Sequence, residues 1–117
     1  MTDDPRFVPT ELRAPRGANY VEIDWADGHA SVYSNEWLRG YCPCAGCQGH
    51  NPEISFVPDG NSTIDEIEEV GSYGLSFRWG DGHETGIYTF KYLRSLCACP
   101  FCIPPERAGE RPTRQRL

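Results

Sequence analysis

The chain has 117 residues, six cysteines and a formal net charge of −6. That length suits a single domain with a modest core, because a chain of this size buries only about two-thirds of its unfolded surface. The acidic balance argues against a nucleic-acid partner, which needs cationic groups to displace counterions from phosphates. No apolar run approaches the ~20 residues of a membrane span.

Residues 1–11 read as an N-terminal tail. MTDDPRFVPT has neither a basic nor an apolar leader region, so no secretory signal is visible and a cytoplasmic location is expected. Thiols stay reduced there, which points six cysteines toward metal rather than disulfides. NYVEIDW (19–25) alternates apolar and polar residues as a half-buried strand does. Asp27-Gly28 is a tight-turn signal, and ASVYS (30–34) is the return strand. Ser34 or Asn35 can cap a short helix over 35–39, which leads into CPCAGC (42–47). Residues 50–61 hold Pro52, Pro58 and a DGN turn, and read as a loop. In STIDEIEEV (62–70), Ile64, Ile67 and Val70 suit a helix face, but the β-branched residues and Gly71 favour a strand beside YGLSFRW (73–79). Asp81-Gly82 is a second turn signal and TGIYTF (85–90) a second return strand. Thr89 can cap a second short helix that runs to Arg94 and into CACPFC (97–102). Residues 104–117 form an Arg-rich tail, expected to be disordered or to dock an acidic partner.

The two halves match each other. WADGHASVYSNEWLRGYCPCAGC aligns with WGDGHETGIYTFKYLRSLCACPFC across one gap near Gly86. Trp25 falls on Trp79, Asp27-Gly28-His29 on Asp81-Gly82-His83, Tyr33 on Tyr88, and Trp37 on Tyr92. Leu38-Arg39 falls on Leu93-Arg94, and each cysteine on its counterpart. Two copies of one small unit, each unable to bury its apolar face alone, would share one core. The expected fold is therefore α+β: a small, mainly antiparallel sheet domain with two short helices. It is built as two pseudo-repeated strand–turn–strand–helix–cysteine-knuckle units over residues 12–103.

Each C-x-C-x-x-C knuckle supplies three thiolates from one tight loop, and structural zinc wants a fourth ligand. His50 sits close behind Cys47, but nothing corresponds to it after Cys102. His29 and His83 do correspond, and each follows a DG turn, so the repeat favours them, within one copy or crossed between copies. The competing readings are buried free cysteines, an iron–sulfur cluster spanning both triplets, and a thiol redox sensor. The CxxC pairs lack the surroundings of a thioredoxin motif.

The set W-x-D-G-H, short strand, L-R and C-x-C-A-x-C resembles the N-terminal domain of gamma-butyrobetaine hydroxylase. That family was formerly the domain of unknown function 971. It also occurs alone in bacteria and appended to P-loop ATPases that carry iron–sulfur clusters. The resemblance covers about residues 12–103 and implies a zinc module with ligands Cys42, Cys44, Cys47 and His83, the crossed arrangement. Pseudo-symmetry then suggests a second set, Cys97, Cys99, Cys102 and His29, which the hydroxylase pattern does not contain in full. The hydroxylase's catalytic facial triad does not carry over, for no H-x-D or H-x-E is present. Nor is there a P-loop or a dinucleotide fingerprint. The expected function is a non-catalytic metal-binding accessory module carrying one or two Zn2+, the alternatives being an iron–sulfur cluster assembly or electron-transfer accessory protein and a thiol redox sensor. Its expected partner is another protein, such as a larger enzyme or an iron–sulfur carrier ATPase, and neither nucleic acid nor membrane. Tyr41, Tyr73 and Phe101 are the exposed aromatics expected to make contacts, together with the Arg-rich tail.

Overall fold

The computed structural model describes residues 4–49, 52–58, 60–84, 86–99, 101–103, 105–107 and 109–115. His50, weighed above as a ligand, lies outside them, as does Arg116 of the tail. The domain is α+β and its sheets are antiparallel.

The first half is a three-stranded meander, β1 (Pro9–Arg13), β2 (Tyr20–Trp25) and β3 (Ala30–Ser34). The second is its counterpart, β5 (Ile64–Val70), β6 (Gly74–Trp79) and β7 (Ile87–Thr89). The alternation in β2 buries Val21, Ile23 and Trp25, and that in β6 buries Leu75, Phe77 and Trp79. Each return strand runs into a helix, α1 (Asn35–Gly40) or α3 (Phe90–Ser95). Ser34 Oγ accepts from Trp37 N at 3.1 Å and Thr89 Oγ1 accepts from Tyr92 N at 3.1 Å, so both helices are capped by a hydroxyl one residue upstream. One further helical turn, α2 (Ala45–Gln48), lies inside the first knuckle, beyond the two helices expected from sequence.

The buried faces of both meanders and both helices form one core, from Val21, Ile23, Trp25 and Leu38 to Phe77, Trp79, Leu93 and Leu96. Each such side chain gains about 1.5–3 kcal/mol from burial, a gain neither meander has alone. Polar contacts cross the core reciprocally. Tyr33 Oη donates to the Leu93 carbonyl, and Tyr88 Oη to the Leu38 carbonyl at 2.6 Å. Trp37 Nε1 donates to Leu96 O at 2.9 Å, and Tyr92 Oη to Tyr41 O at 2.6 Å.

Three expectations are corrected. β1 begins at Pro9, so ordered sheet crosses the boundary drawn after residue 11. β1 has an Arg13 guanidinium that binds Glu22 and Asp24 of β2, which fastens this edge. The C-terminal segment is not a free tail. β8 (Arg114–Gln115) pairs antiparallel with β4 (Glu53–Ile54), and Arg111 lies over the Phe56 ring at 4.2 Å. Tyr41 is fully buried rather than exposed, because that segment covers it and its Oη donates to Pro112 O at 2.7 Å. Tyr73 and Phe101 are exposed as expected.

Candidate metal centre

The histidines are placed by their turns. In each, the third-position glycine adopts a left-handed backbone, Gly28 at φ 91° and Gly82 at φ 84°, a conformation that glycine reaches without steric cost. The turn closes through Trp25 N to His29 O at 2.8 Å and Trp79 N to His83 O at 2.9 Å. Asp27 Oδ1 accepts from His29 N and Asp81 Oδ1 from His83 N, each at 3.1 Å. So the motif D-G-H supplies the turn, a carboxylate brace and a fixed imidazole.

Each imidazole points across the molecule at the other half's cysteines. His83 Nε2 lies 3.3 Å from Cys42 Sγ, 3.3 Å from Cys44 Sγ and 3.5 Å from Cys47 Sγ. His29 Nε2 lies 3.3, 3.6 and 3.8 Å from the sulfurs of Cys97, Cys99 and Cys102. Within each set all four ligand atoms lie within 4.8 Å of one another. One ring nitrogen has a single hydrogen-bonding position, so it cannot serve three thiols at once. A tetrahedral zinc ion with bonds of about 2.3 Å to sulfur and 2.0 Å to nitrogen has N···S edges of roughly 3.5 Å. The observed spacings are those edges. Donor type, donor number and spacing all fit a single tetrahedral metal ion in each set.

The surroundings fit as well. Burial pushes the Cys42 and Cys47 thiols above their ordinary range, and partial desolvation together with the neighbouring Cys97 and Cys99 sulfurs pushes the Cys102 thiol up to about 12. Burial also acts to raise Cys99, but hydrogen bonds, led by the Cys102 backbone N–H, outweigh it and bring that thiol below its ordinary value. Buried thiols of this kind ionise when a cation sits among them. Three thiolates around a dication leave one net negative charge. Arg39 stands beside it, with Nη1 3.9 Å from Cys47 Sγ and Nη2 donating to Asp81 Oδ2 at 3.1 Å. Arg94 takes the corresponding place, donating to Asp27 Oδ2 at 2.9 Å. These arginine bonds hold Asp27 below the usual carboxylate range; at Asp81 the His83 N–H does so first and Arg39 second. The arginines were visible in the sequence as the matched Leu-Arg pairs, but their role was not.

The class is thus a small α+β module with two Cys3His clusters, each closed across its halves. The chain belongs to the family described as gamma-butyrobetaine hydroxylase-like, N-terminal, which it matches over residues 12–94. It is 33% identical over 75 residues to the gamma-butyrobetaine dioxygenase of Pseudomonas sp. (strain AK-1), covering 61% of this chain and 20% of that protein. The chain therefore spans about a fifth of that relative. A crystal structure of a protein of unknown function in the DUF971 family from Acidithiobacillus ferrooxidans is 39% identical, with a TM-score of 0.67, over 82% of this chain and 99% of that one. A solution NMR structure is 33% identical, with a TM-score of 0.65, over 83% of this chain and 72% of the other.

Proposed function

We propose that this is a non-catalytic zinc-binding domain that acts as an accessory module for another protein. Cys42, Cys44, Cys47 and His83 hold one ion. Cys97, Cys99, Cys102 and His29 hold a second. The observation that carries the reading is the packing of three sulfurs around one imidazole nitrogen at 3.3–3.5 Å. When bound, the metal supplies a cross-link between the two halves and folding free energy. The three thiolates and one imidazole fill a tetrahedron, which leaves no position for substrate or an activated water. Arg39 and Arg94 offset the residual negative charge, and Asp27 and Asp81 fix the histidine turns.

The accessory role draws on the relative in which such a region is a fifth of a larger dioxygenase. A larger enzyme or an iron–sulfur carrier ATPase is the proposed partner, and the cytoplasm the proposed place, where the thiols remain reduced. Among the described residues, no helix is long and apolar enough to cross a membrane.

The test is elemental analysis of anaerobically purified protein, with an absorbance scan near 400 nm. Two zinc per chain is the expected result, and His83→Ala removes one while His50→Ala removes none. Brown protein containing iron and sulfide would establish a cluster carrier instead. Pull-down of the metal-loaded protein, compared with a metal-free sample, tests the accessory role.

A further inference from the structure

The two ligand sets are alike in residues and unlike in cover. Cys42 is fully buried and Cys44 nearly so. Behind that knuckle, Gln48 donates through Nε2 to Cys42 O at 3.1 Å and Ser55 O at 2.9 Å, and its Oε1 accepts from Ser55 N at 2.9 Å. This amide straps residues 53–57 over the first knuckle. Val57 N donating to Gly40 O at 2.8 Å, and Phe56 packing against Trp37 and Tyr41, close the strap.

Among the described residues, the second knuckle has no equivalent clamp residue. The position after its third cysteine is Ile103, whose side chain carries no amide, although Ile103 N donates to Cys99 O just as Gln48 N donates to Cys44 O. Cys102 is exposed, and Phe101 beside it is 94% exposed. The charge arrangement differs too. Arg39 reaches a sulfur with Nη1, whereas Arg94 turns Nη1 to the Arg6 carbonyl at 3.0 Å and to Asp27. Two of the three histidine-to-sulfur distances are longer as well, 3.6 Å at Cys99 and 3.8 Å at Cys102.

We infer that Cys97, Cys99, Cys102 and His29 form an exchangeable metal site, which takes up and releases a thiophilic divalent ion readily while the first set gives up its ion far more slowly. This deepens the zinc reading above and rests on it. Exchange starts at Cys102, the one exposed residue among the eight cysteines and histidines of the two sets. A donor atom of an incoming chelating ligand takes the place of the Cys102 thiolate, which leaves with its electron pair and takes up a proton. Cys99, Cys97 and His29 follow in the same way. No electron is transferred, so no oxidant is needed. In the first set Cys42 and Cys44 are buried and Cys47 and His83 half-buried, so none of its ligands is as open to an incoming ligand as Cys102.

The test uses the full chain loaded with two equivalents of zinc and challenged with excess 4-(2-pyridylazo)resorcinol at neutral pH, with release followed by absorbance. Two phases of one equivalent each are expected, separated by about 10- to 100-fold in rate, the size of effect that supporting contacts have on metal sites. Cys102→Ser and, separately, His29→Gln abolish the fast phase and leave the slow one, with the circular dichroism spectrum unchanged. Two equivalents leaving at one rate would overturn the exchange reading and leave the zinc reading intact. So would a single equivalent that Cys102→Ser does not touch, or a slow phase lost in that variant. Protein that binds no zinc would overturn both.

Discussion

Arg39, from the helix before the first cysteine knuckle, is paired with Asp81, from the turn that carries His83, at 3.1 Å. Its counterpart Arg94 is paired with Asp27 at 2.9 Å. One carboxylate thus receives both the histidine's own N–H and the arginine that faces the cysteines. Position of the imidazole and compensation of the thiolate charge are tied together in one contact. Asp81→Asn should keep the turn's N–H acceptor and lose the ion pair, so it should lower zinc affinity at the first set by about 10- to 100-fold. Competition against a chromogenic chelator reads this directly. Unchanged affinity would show that the pair is a surface contact without a role at the metal.

Tyr88 is fully buried, and its hydroxyl meets the Leu38 carbonyl 50 residues away at 2.6 Å. Burial raises its pKa well above the usual value, so the phenol stays a neutral donor. Tyr88→Phe keeps the ring and orphans a buried carbonyl, which should cost about 1–3 kcal/mol. Urea unfolding of the metal-loaded protein measures it, and Tyr33→Phe should behave alike because Tyr33 meets Leu93 in the reciprocal contact.

Metal uptake should release protons. In the metal-free chain, burial raises the Cys42 and Cys47 thiols, so both are protonated at pH 7. Each must lose its proton to bind, and the first set should release about two to three protons per ion. The sign follows: affinity rises with pH and falls as acid returns the thiols to their neutral form. Zinc titration of weakly buffered protein containing a pH indicator counts the protons. A release near zero would mean that the thiols were already ionised.

Much of this was legible because the halves match. The shared W-x-D-G-H and Leu-Arg segments located both turns and both helices and singled out His29 and His83, the family resemblance supplied the crossed pairing with the cysteines, and the strand at 64–70 followed from its β-branched residues. What was not legible lies between elements distant in sequence. Tyr41 sits beside a cysteine loop and reads as exposed, yet residues 112–115 return to cover it. An Arg-rich, Pro-containing end reads as disordered, since nothing local shows that Arg111 will find the Phe56 ring. Gln48 carries no signal of its role, because Cys42 O, Ser55 O and Ser55 N, which it meets, are backbone groups that leave no mark in sequence.

The single gap in the alignment of the halves has a structural counterpart. A Cβ on Gly86 would lie 2.6 Å from Cys42 Sγ and 3.3 Å from Pro43 Cδ. The chain just before β7 approaches the first knuckle as closely as a bare backbone allows. Gly86→Ala should therefore push the Cys42 sulfur out of the tetrahedron and lower zinc affinity at the first set, leaving the second unchanged. Titration of zinc into the metal-free variant should show one strong and one weakened equivalent. Two equivalents of unaltered affinity would mean that the loop relaxes at no cost.

Gln48 supplies the sharpest test of what cover does. Gln48→Ala removes three hydrogen bonds at a nearly buried position. It leaves Ser55 N, Ser55 O and Cys42 O needing other partners, at a cost of about 1–3 kcal/mol. The strap over residues 53–57 should loosen, while the ligands Cys42, Cys44, Cys47 and His83 remain in place. Stability should fall, and release of the slow zinc equivalent to the chelator should accelerate toward the rate of the fast one. The fast equivalent should not change, because Gln48 does not touch the second knuckle. The expected signature is therefore convergence of two rates, where a general loosening of the fold would raise both together. If the slow rate holds while stability drops, the strap supports the fold but does not guard the metal. Retention by the first set would then come from its shorter contacts to His83 and from Arg39.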